Sequence, residues 1–281
     1  MPTLSTIAEN YDAVLSDVWG VVHNGISAHP TAVDALRRFR QSGGRVVLIT
    51  NAPRPSAPII EMLDRFNVPR DTYDAVVSSG DVTRAMLAPY RGQTLHYVGP
   101  ERENDGLFEG FDITLGSAEE AKAVIVTDLD NDDQTPDDYN DRITLWLKRK
   151  LPMICANPDR VVEHGDQLIY CGGALADLYE ARGGMIRMAG KPYRPIYDEA
   201  LHKAEAAAGR SLDRGRILAI GDSVRTDAIG AANAGLDLLF VTGSIHAGEL
   251  DAFGSPDPQA VRDLVAPSGA RLRAFMPRLA W

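Results

Sequence analysis

The sequence predicts an α/β protein built on a doubly wound, parallel sheet of Rossmann-like type. Short apolar runs rich in β-branched residues alternate with longer amphipathic stretches, both near the start and near the end of the chain. A strand–helix–strand order implies parallel strands joined by right-handed crossovers. Several predicted strands also end on polar or acidic residues, at the edge where open parallel sheets bind ligands.

The first block of alternating elements lies near the amino terminus. In its first helical stretch, apolar residues recur every three positions, at Val33, Leu36 and Phe39, and the stretch closes on two glycines. We predict strands at 13–18, 45–51 and 73–79 and helices at 31–43 and 56–68.

The same alternation returns in the last third of the chain. There we predict a helix at 193–209, a strand at 216–222, a helix at 225–235 and a strand at 236–243. Residues 266–281 have weak periodicity, and the sequence leaves open whether they form a docked tail or an oligomer contact.

Residues 82–186 are predicted to form a separate, inserted α/β domain, which leaves 1–81 and 187–281 as the core. This middle region has strand-like runs of its own, such as KAVIVTD and LPMICAN, and two amphipathic helical stretches. We therefore expect two domains, one of them made from both ends of the chain.

The composition excludes several classes of partner. The formal net charge is −10, from 29 basic and 39 acidic residues, which argues against a nucleic-acid or anionic-membrane surface. An anionic substrate stays compatible with this charge, because one bound metal ion can invert the local field. Neither a signal peptide nor a membrane span is predicted, so we expect a cytoplasmic location. Whether the chain forms a homo-oligomer is left open.

Two features that could suggest other metal or disulfide sites do not fit them. Cys155 and Cys171 form no CxxC or Cys/His pattern, so two structural thiols are expected. The acidic stretch 127–138 lacks the glycine and the glutamate that an EF-hand loop requires. Thr135 and Pro136 are instead typical of a helix start.

Chemically active side chains lie at the ends of several predicted strands. The first strand ends at Asp17, the second ends at Thr50 and Asn51, and a later one ends in GDSVRTD, which carries Asp222 and Asp227, with Lys191 ahead of a C-terminal helix. Carboxylates that converge at one sheet edge repel one another, and a hard divalent cation such as Mg²⁺ relieves that repulsion. In such a site Asp17 could attack a phosphorus atom, Thr50 could hold phosphoryl oxygens and Lys191 could stabilise developing charge.

With these motifs the sequence resembles the haloacid dehalogenase-like (HAD) superfamily, most closely its class IIA, NagD and 4-nitrophenylphosphatase-like branch. The resemblance rests on SDVWG at Asp17, ITNAPRPS at Thr50, GKP at Lys191 and GDSVRTD at Asp222, which occur in this order. ANPD and the CGGALADLYEARGG that follows resemble the cap domain of that branch. The resemblance covers nearly the whole chain apart from the C-terminal tail.

The resemblance implies a function and a role for each motif. It implies a Rossmann-like core with a C2-type cap, and a Mg²⁺-dependent phosphatase that acts on a small phosphorylated metabolite through an aspartyl-phosphate. Asp17 would be the nucleophile, and Thr50, Asn51 and Lys191 would bind the phosphoryl group. The metal would be held by Asp17, the main-chain carbonyl of Trp19 and Asp222, with Asp227 helping directly or through water.

Trp19 departs from the family pattern. Phosphatases of this superfamily usually carry there a second aspartate that protonates the leaving oxygen, and indole has no titratable proton. Either substrates with good leaving groups are used, or His23 substitutes as acid and base, or the protein binds phosphate compounds with little turnover. A dehalogenase, which would need no Mg²⁺, ranks below the phosphatase because GDSVRTD favours a metal.

Some of these residues also have a purely structural interpretation. Asn51 could cap the loop that follows it, Asp227 could favour a helix dipole, and Trp19 could be inert packing. These alternatives stay open from the sequence.

Overall fold

The computed structural model describes residues 3–100, 106–164, 167–250 and 256–281. The chain separates into two compact units. The first unit comprises Met1–Thr50, Ile59–Val77 and Lys191–Trp281, and the second comprises Asn51–Pro58 and Ser78–Gly190. Each unit is described by itself below.

Strands and helices follow one another through both units. The strands are β1 (Ala13–Asp17), β2 (Arg45–Thr50), β3 (Ala75–Ser78), β4 (Gln93–Val98), β5 (Ile113–Leu115), β6 (Val124–Val126), β7 (Met153–Cys155), β8 (Val161–His164), β9 (Gln167–Tyr170), β10 (Ile186–Met188), β11 (Ile217–Gly221), β12 (Asp237–Val241) and β13 (Arg271–Met276). The α-helices are α1 (Pro30–Gln41), α2 (Ser56–Arg65), α3 (Ser79–Leu87), α4 (Asn140–Arg149), α5 (Gly172–Ala181), α6 (Arg194–Ala208), α7 (Ile229–Ala234) and α8 (Pro258–Val265).

The first unit is built on a six-stranded sheet with the order β13-β12-β11-β1-β2-β3. Strands β13, β12, β11, β1 and β2 run parallel to one another. Every residue of β1, β11 and β12 is buried, as expected for strands covered by helices on both faces. The predicted doubly wound α/β fold is therefore confirmed.

Helices of the first unit bury the faces that their apolar spacing indicates. In α1 the buried residues are Ala32, Ala35, Leu36 and Phe39, and in α6 they are Ile196, Tyr197, Ala200, Leu201 and Ala204. Residues three and four apart lie on one side of a helix, so each helix covers the sheet with a single stripe.

The last segment of the chain docks on the first unit through β13. This strand pairs in parallel with β12 at the edge of the sheet, with one register shift between Leu238 and Leu239. Only Ala274 and Met276 of its six residues are buried, so the strand carries little periodic signal in the sequence.

The second unit has a five-stranded parallel sheet of its own, with the order β10-β7-β6-β4-β5, and a two-stranded antiparallel hairpin of β8 and β9. Trp146 on α4 and Tyr179 on α5 pack edge to face in its core, with ring centroids 6.0 Å apart. The predicted helix start is confirmed, because Thr135 forms a capping box with Asp138 and Pro136 begins the helical turn that leads into α4.

Both cysteines are free and buried in the second unit. Burial raises the pKa of each thiol well above its ordinary value, which keeps it protonated and unreactive. Across the part of the chain that the structure describes, each helix is too short or too polar to cross a membrane.

Candidate active site

Asp17 is the last residue of β1 and lies at the carboxyl edge of the first unit's sheet. The strand before it is buried along its length, and Asp17 itself is buried, with 6% of the residue exposed. The backbone N–H of Val18 donates to Asp17 Oδ1 at 2.7 Å. The strand end and this bond together hold the carboxylate in one orientation.

Lys191 joins Asp17 to Asp227. Its Nζ donates to Asp17 Oδ1 at 2.6 Å and to Asp227 Oδ1 at 2.8 Å, and all three side chains are buried. Charges removed from bulk water interact more strongly, but they are also costly to bury unpaired. The ammonium group is therefore fixed between the two carboxylates, at the point where the chain enters α6.

Asp222 and Asp227 come from the loop that follows β11. Ser223 caps the helical turn Val224–Ala228 through a hydrogen bond from the Thr226 N–H. Asp227 Oδ2 accepts the backbone N–H groups of Asp222 and Ser223 at 3.2 and 3.1 Å. Both oxygens of Asp227 are therefore engaged, Oδ1 with Lys191 and Oδ2 with the backbone of the loop. These bonds hold Asp222 beside Asp227.

The three acids form the one cluster with metal-ligand spacing found among the described residues. One carboxylate oxygen from each of Asp17, Asp222 and Asp227 lies within 4.8 Å of the others. Gly20, with φ +83°, makes room for this arrangement, since a Cβ there would come within 2.0 Å of Asp222 Oδ2. The main chain beside Trp19 thus passes directly against Asp222.

Electrostatics of the cluster favour a cation. Burial raises the pKa of Asp17 well above its ordinary value; Lys191 opposes this shift, while the charges of Asp227 and Asp222 add to it. One lysine does not balance three carboxylates, and a divalent ion would offset the remaining repulsion. An all-oxygen donor set of this kind suits Mg²⁺, so the residues present fit the predicted metal.

Thr50 is the last residue of β2, the neighbour of β1, and Asn51 follows it. Asp17 is paired with Ile49 in the parallel register, which places Thr50 one residue beyond Asp17 at the same edge of the sheet. Both Thr50 and Asn51 are buried. The chain passes from the first to the second unit between them, and Asn51 Nδ2 donates to Asp159 Oδ1 at 3.0 Å within the second unit.

Trp19 and His23 pack against each other in the loop after β1. Their ring centroids are 5.1 Å apart, and the His23 ring also packs against the Phe66 ring, with a centroid distance of 5.1 Å. His23 Nδ1 accepts the N–H of Gly25, and burial together with the charge of His29 lowers the pKa of His23 to about 4. His23 is therefore neutral near pH 7, and it is buried against the indole of Trp19. Its role as an acid or base stays a prediction.

Tyr197 is a neighbour of the cluster that the sequence analysis did not select. It lies on the buried face of α6, and burial, with a further contribution from Asp227, raises the pKa of its phenol. In the sequence, Tyr197 fits the apolar spacing of the helix, so it is interpreted as a core residue. The sequence carries no local signal that would distinguish Tyr197 from the other buried residues of α6.

Chemically, the cluster combines a fixed carboxylate, an ammonium group and two further acids. A carboxylate held in this way can act as a nucleophile, and a neighbouring ammonium can stabilise negative charge on the group that it attacks. These are the elements of group transfer to an aspartate.

Comparison with known proteins gives a family match in each of two regions of the chain and a structural match that spans nearly all of it. A haloacid dehalogenase-like hydrolase model matches residues 14–111, and a HAD-hydrolase-like model matches residues 188–267. The crystal structure of a hydrolase of the haloacid dehalogenase-like family from Brucella suis 1330 is 42% identical, with a TM-score of 0.87. That match covers 99% of this chain and 100% of the other.

Two further relatives carry names that describe an activity. Ribonucleotide monophosphatase NagD of Escherichia coli (strain K12) is 26% identical over 238 residues, which is 83% of this chain and 88% of NagD. The p-nitrophenyl phosphatase from Archaeoglobus fulgidus shares the fold, at 19% identity and a TM-score of 0.72, over 96% of this chain and 97% of that one.

These matches confirm the resemblance to the NagD and 4-nitrophenylphosphatase-like branch that the four motifs indicate. The match at 42% identity extends over nearly the full length of both chains, and both family models agree with it. The chain therefore belongs to the haloacid dehalogenase-like hydrolase family.

Proposed function

We propose that this protein is a Mg²⁺-dependent phosphatase that hydrolyses a phosphoric monoester of a small metabolite through an aspartyl-phosphate. The observation that carries the proposal is the buried contact of Lys191 with Asp17 and Asp227, with Asp222 close to both acids. The names of the two relatives, a ribonucleotide monophosphatase and a p-nitrophenyl phosphatase, support the same reaction class.

In the proposed reaction Asp17 attacks the phosphorus atom and the bond to the leaving oxygen breaks. The leaving oxygen keeps the electron pair and takes a proton from water, because Trp19 has none to give. Water then attacks the aspartyl-phosphate, which releases inorganic phosphate and restores Asp17. Thr50 and Asn51 hold phosphoryl oxygens, and Lys191 stabilises the charge that grows on them.

The metal would be held by Asp17, the main-chain carbonyl of Trp19 and Asp222, with Asp227 acting directly or through water. When bound, Mg²⁺ supplies charge neutralisation between the nucleophile and the phosphoryl oxygens.

The second unit is proposed to act as a C2-type cap. We place its limits near residues 82–186, and we propose that it excludes water and selects the leaving group. A cytoplasmic location and self-association stay predictions. The relatives give no support to the alternatives of a phosphate-binding protein without turnover or a dehalogenase.

Phosphate release from 4-nitrophenyl phosphate tests the proposal. We expect activity that depends on Mg²⁺, is lost on addition of EDTA, and falls by at least about 10³-fold in Asp17→Asn, which keeps the shape of the side chain but not the nucleophile. Asp34→Asn, on the exposed face of α1, is the matched control and should leave kcat unchanged.

Two outcomes would overturn the proposal. One is activity that survives in Asp17→Asn. The other is a wild-type protein that binds inorganic phosphate tightly, with Mg²⁺ present, but turns over none of a panel of phosphomonoesters.

A further inference from the structure

A chain of hydrogen-bonded side chains begins at Asn51 and runs through the second unit. Asn51 Nδ2 donates to Asp159 Oδ1 at 3.0 Å, the N–H of Asp159 donates to Asn157 Oδ1 at 3.2 Å, and Asn157 Nδ2 donates to Asp128 Oδ2 at 3.4 Å. Asn51 and Asn157 are 4% and 6% exposed. The chain connects the residue after Thr50 with the carboxyl edge of the second unit's sheet.

The turn that carries Asp159 is itself held in place. The carbonyl of Ala156 accepts the hydroxyl of Ser79, and the carbonyl of Asp159 accepts the N–H of Gly173 at 3.0 Å, at the start of α5. A backbone anchored in this way presents the Asp159 carboxylate from a fixed position.

This carboxylate determines which way the Asn51 amide points. An ionised carboxylate can only accept hydrogen bonds, so it selects the NH₂ end of the amide. The carbonyl end then lies against Gly190, where a Cβ would come within 2.3 Å of Asn51 Oδ1. The amide is thus enclosed between Asp159 and the residue before Lys191.

The negative charge of Asp159 would not by itself favour the binding of a phosphate anion beside Asn51. A carboxylate beside a residue that binds phosphate repels the anion, so a purely electrostatic role predicts tighter phosphate binding when the charge is removed. A role in orienting the amide predicts little change when the charge alone is removed, and weaker binding when the acceptor oxygen is displaced. The two roles can therefore be separated by the direction of one measurement.

We infer that Asp159 is a positioning residue, which orients the Asn51 amide at the end of β2 for the phosphoryl group. This inference rests on the proposed function of Thr50 and Asn51. It assigns to the Asn157-Pro158-Asp159 turn a part in positioning Asn51.

The test compares two substitutions that separate shape from charge. Asp159→Asn keeps the shape and one acceptor oxygen, whereas Asp159→Glu keeps the charge and displaces the carboxylate. With Mg²⁺ present, we expect Asp159→Glu to raise KM for 4-nitrophenyl phosphate and Kd for inorganic phosphate about tenfold, with a smaller change in kcat. Asp159→Asn should stay close to wild type.

A double-mutant cycle with Asn51→Ala and Asp159→Ala measures the coupling. We expect each single variant to weaken phosphate binding and the double variant to be no worse than Asn51→Ala. Asp141→Ala, an exposed acid in the first turn of α4, is the control in the same unit and should change nothing.

Phosphate binding that is unchanged or tighter in Asp159→Glu, or additive effects in the cycle, would overturn the inference. Calorimetric titration with inorganic phosphate needs no turnover, so it tests the inference even in an inactive protein. An inactive wild type would therefore contradict the proposed function alone, and additivity in an active enzyme would contradict the inference alone.

Discussion

Trp19 lies two residues beyond Asp17, where its indole is braced on one side and open on the other. The ring packs on His23, and a Cβ on Gly25 would meet it at 2.7 Å, yet 37% of the residue is exposed. The indole therefore packs on the loop on one side and faces solvent on the other. It also cannot donate a proton, so the proposed reaction depends on how readily the leaving group departs.

Trp19→Asp should supply the missing acid. We expect kcat/KM for alkyl phosphates, which are poor leaving groups, to rise about 10²-fold, with little change for 4-nitrophenyl phosphate. The measurement is the slope of log kcat/KM against leaving-group pKa, which should become shallower. Trp19→Asn opens the same space without a proton and should keep the wild-type slope; equal slopes for all three proteins would contradict this account of the indole.

At the scale of elements, Asp237 ties the edge strand β13 to the sheet. It accepts hydrogen bonds from Arg271 Nε and Arg273 Nε, both at 2.7 Å, and from the Tyr11 hydroxyl at 2.9 Å. Burial raises the pKa of Asp237, but the hydrogen bonds from Arg273, Arg271 and Tyr11 outweigh it and hold the pKa below its usual value. One buried carboxylate thus joins β12, β13 and the segment before β1.

Asp237→Ala should loosen the edge strand. We expect the free energy of unfolding to fall by about 2 kcal/mol, because hydrogen bonds to a charged group are lost and Tyr11 is left without this acceptor. Urea unfolding measures the loss, and amide hydrogen exchange should show faster exchange in β13. Arg38→Ala, which removes an exposed ion pair with Asp34, should change stability by less than about 1 kcal/mol; unaltered exchange in β13 would contradict the assignment.

At the scale of the whole chain, the first unit is assembled from both ends of the sequence. Asp12 accepts hydrogen bonds from Arg210 and Arg216, each at 2.8 Å, across 198 and 204 residues. Hydrogen bonds from Arg216 and Arg210 lower the pKa of Asp12 to about 2. Since its ordinary pKa is about 3.8, the ionised form stabilises the folded state.

This shift predicts a defined pH dependence. The stability from Asp12 is fully present above pH 4 and is lost as the pH falls towards 2, where the folded carboxyl also becomes protonated. Because both arginines are about half exposed, water screens the pairs and the contribution is about 1 kcal/mol. Urea midpoints of wild type and Asp12→Asn should differ at pH 7, and the difference should shrink as the pH falls from 4 towards 2. A difference that keeps its full size at pH 2 would contradict this assignment.

Much of the fold could be predicted because its signal is local. Buried strands such as β1 and β11 are continuous apolar runs, and helices such as α1 repeat apolar residues every three or four positions. An edge strand such as β13, with four of six residues at least partly exposed, has no such pattern, and its place depends on β12 and Asp237. Local pattern therefore predicts elements that are covered by others better than elements at the edge.

The site divides in the same way. The sequence pattern predicted that Asp17, Thr50, Asp222 and Asp227 lie at strand ends, and parallel strands bring their carboxyl ends to one edge of a sheet. No local pattern could predict that Tyr197 lies near enough to the cluster for the charge of Asp227 to raise the pKa of its phenol, or that the Asn51 amide is held by Asp159, 108 residues away. Those contacts depend on packing between elements that are distant in sequence.

By itself, then, the sequence determined the alternation of strands and helices, the family and the identities of the acidic groups, because these depend on periodicity and on short motifs. Only the tertiary structure decided that Lys191 bonds to Asp17 across 174 residues, and that His23 is buried against Trp19 instead of standing free. The physical reason is that the packing of the elements determines which distant residues form hydrogen bonds and which are buried. No single segment of the sequence determines that packing.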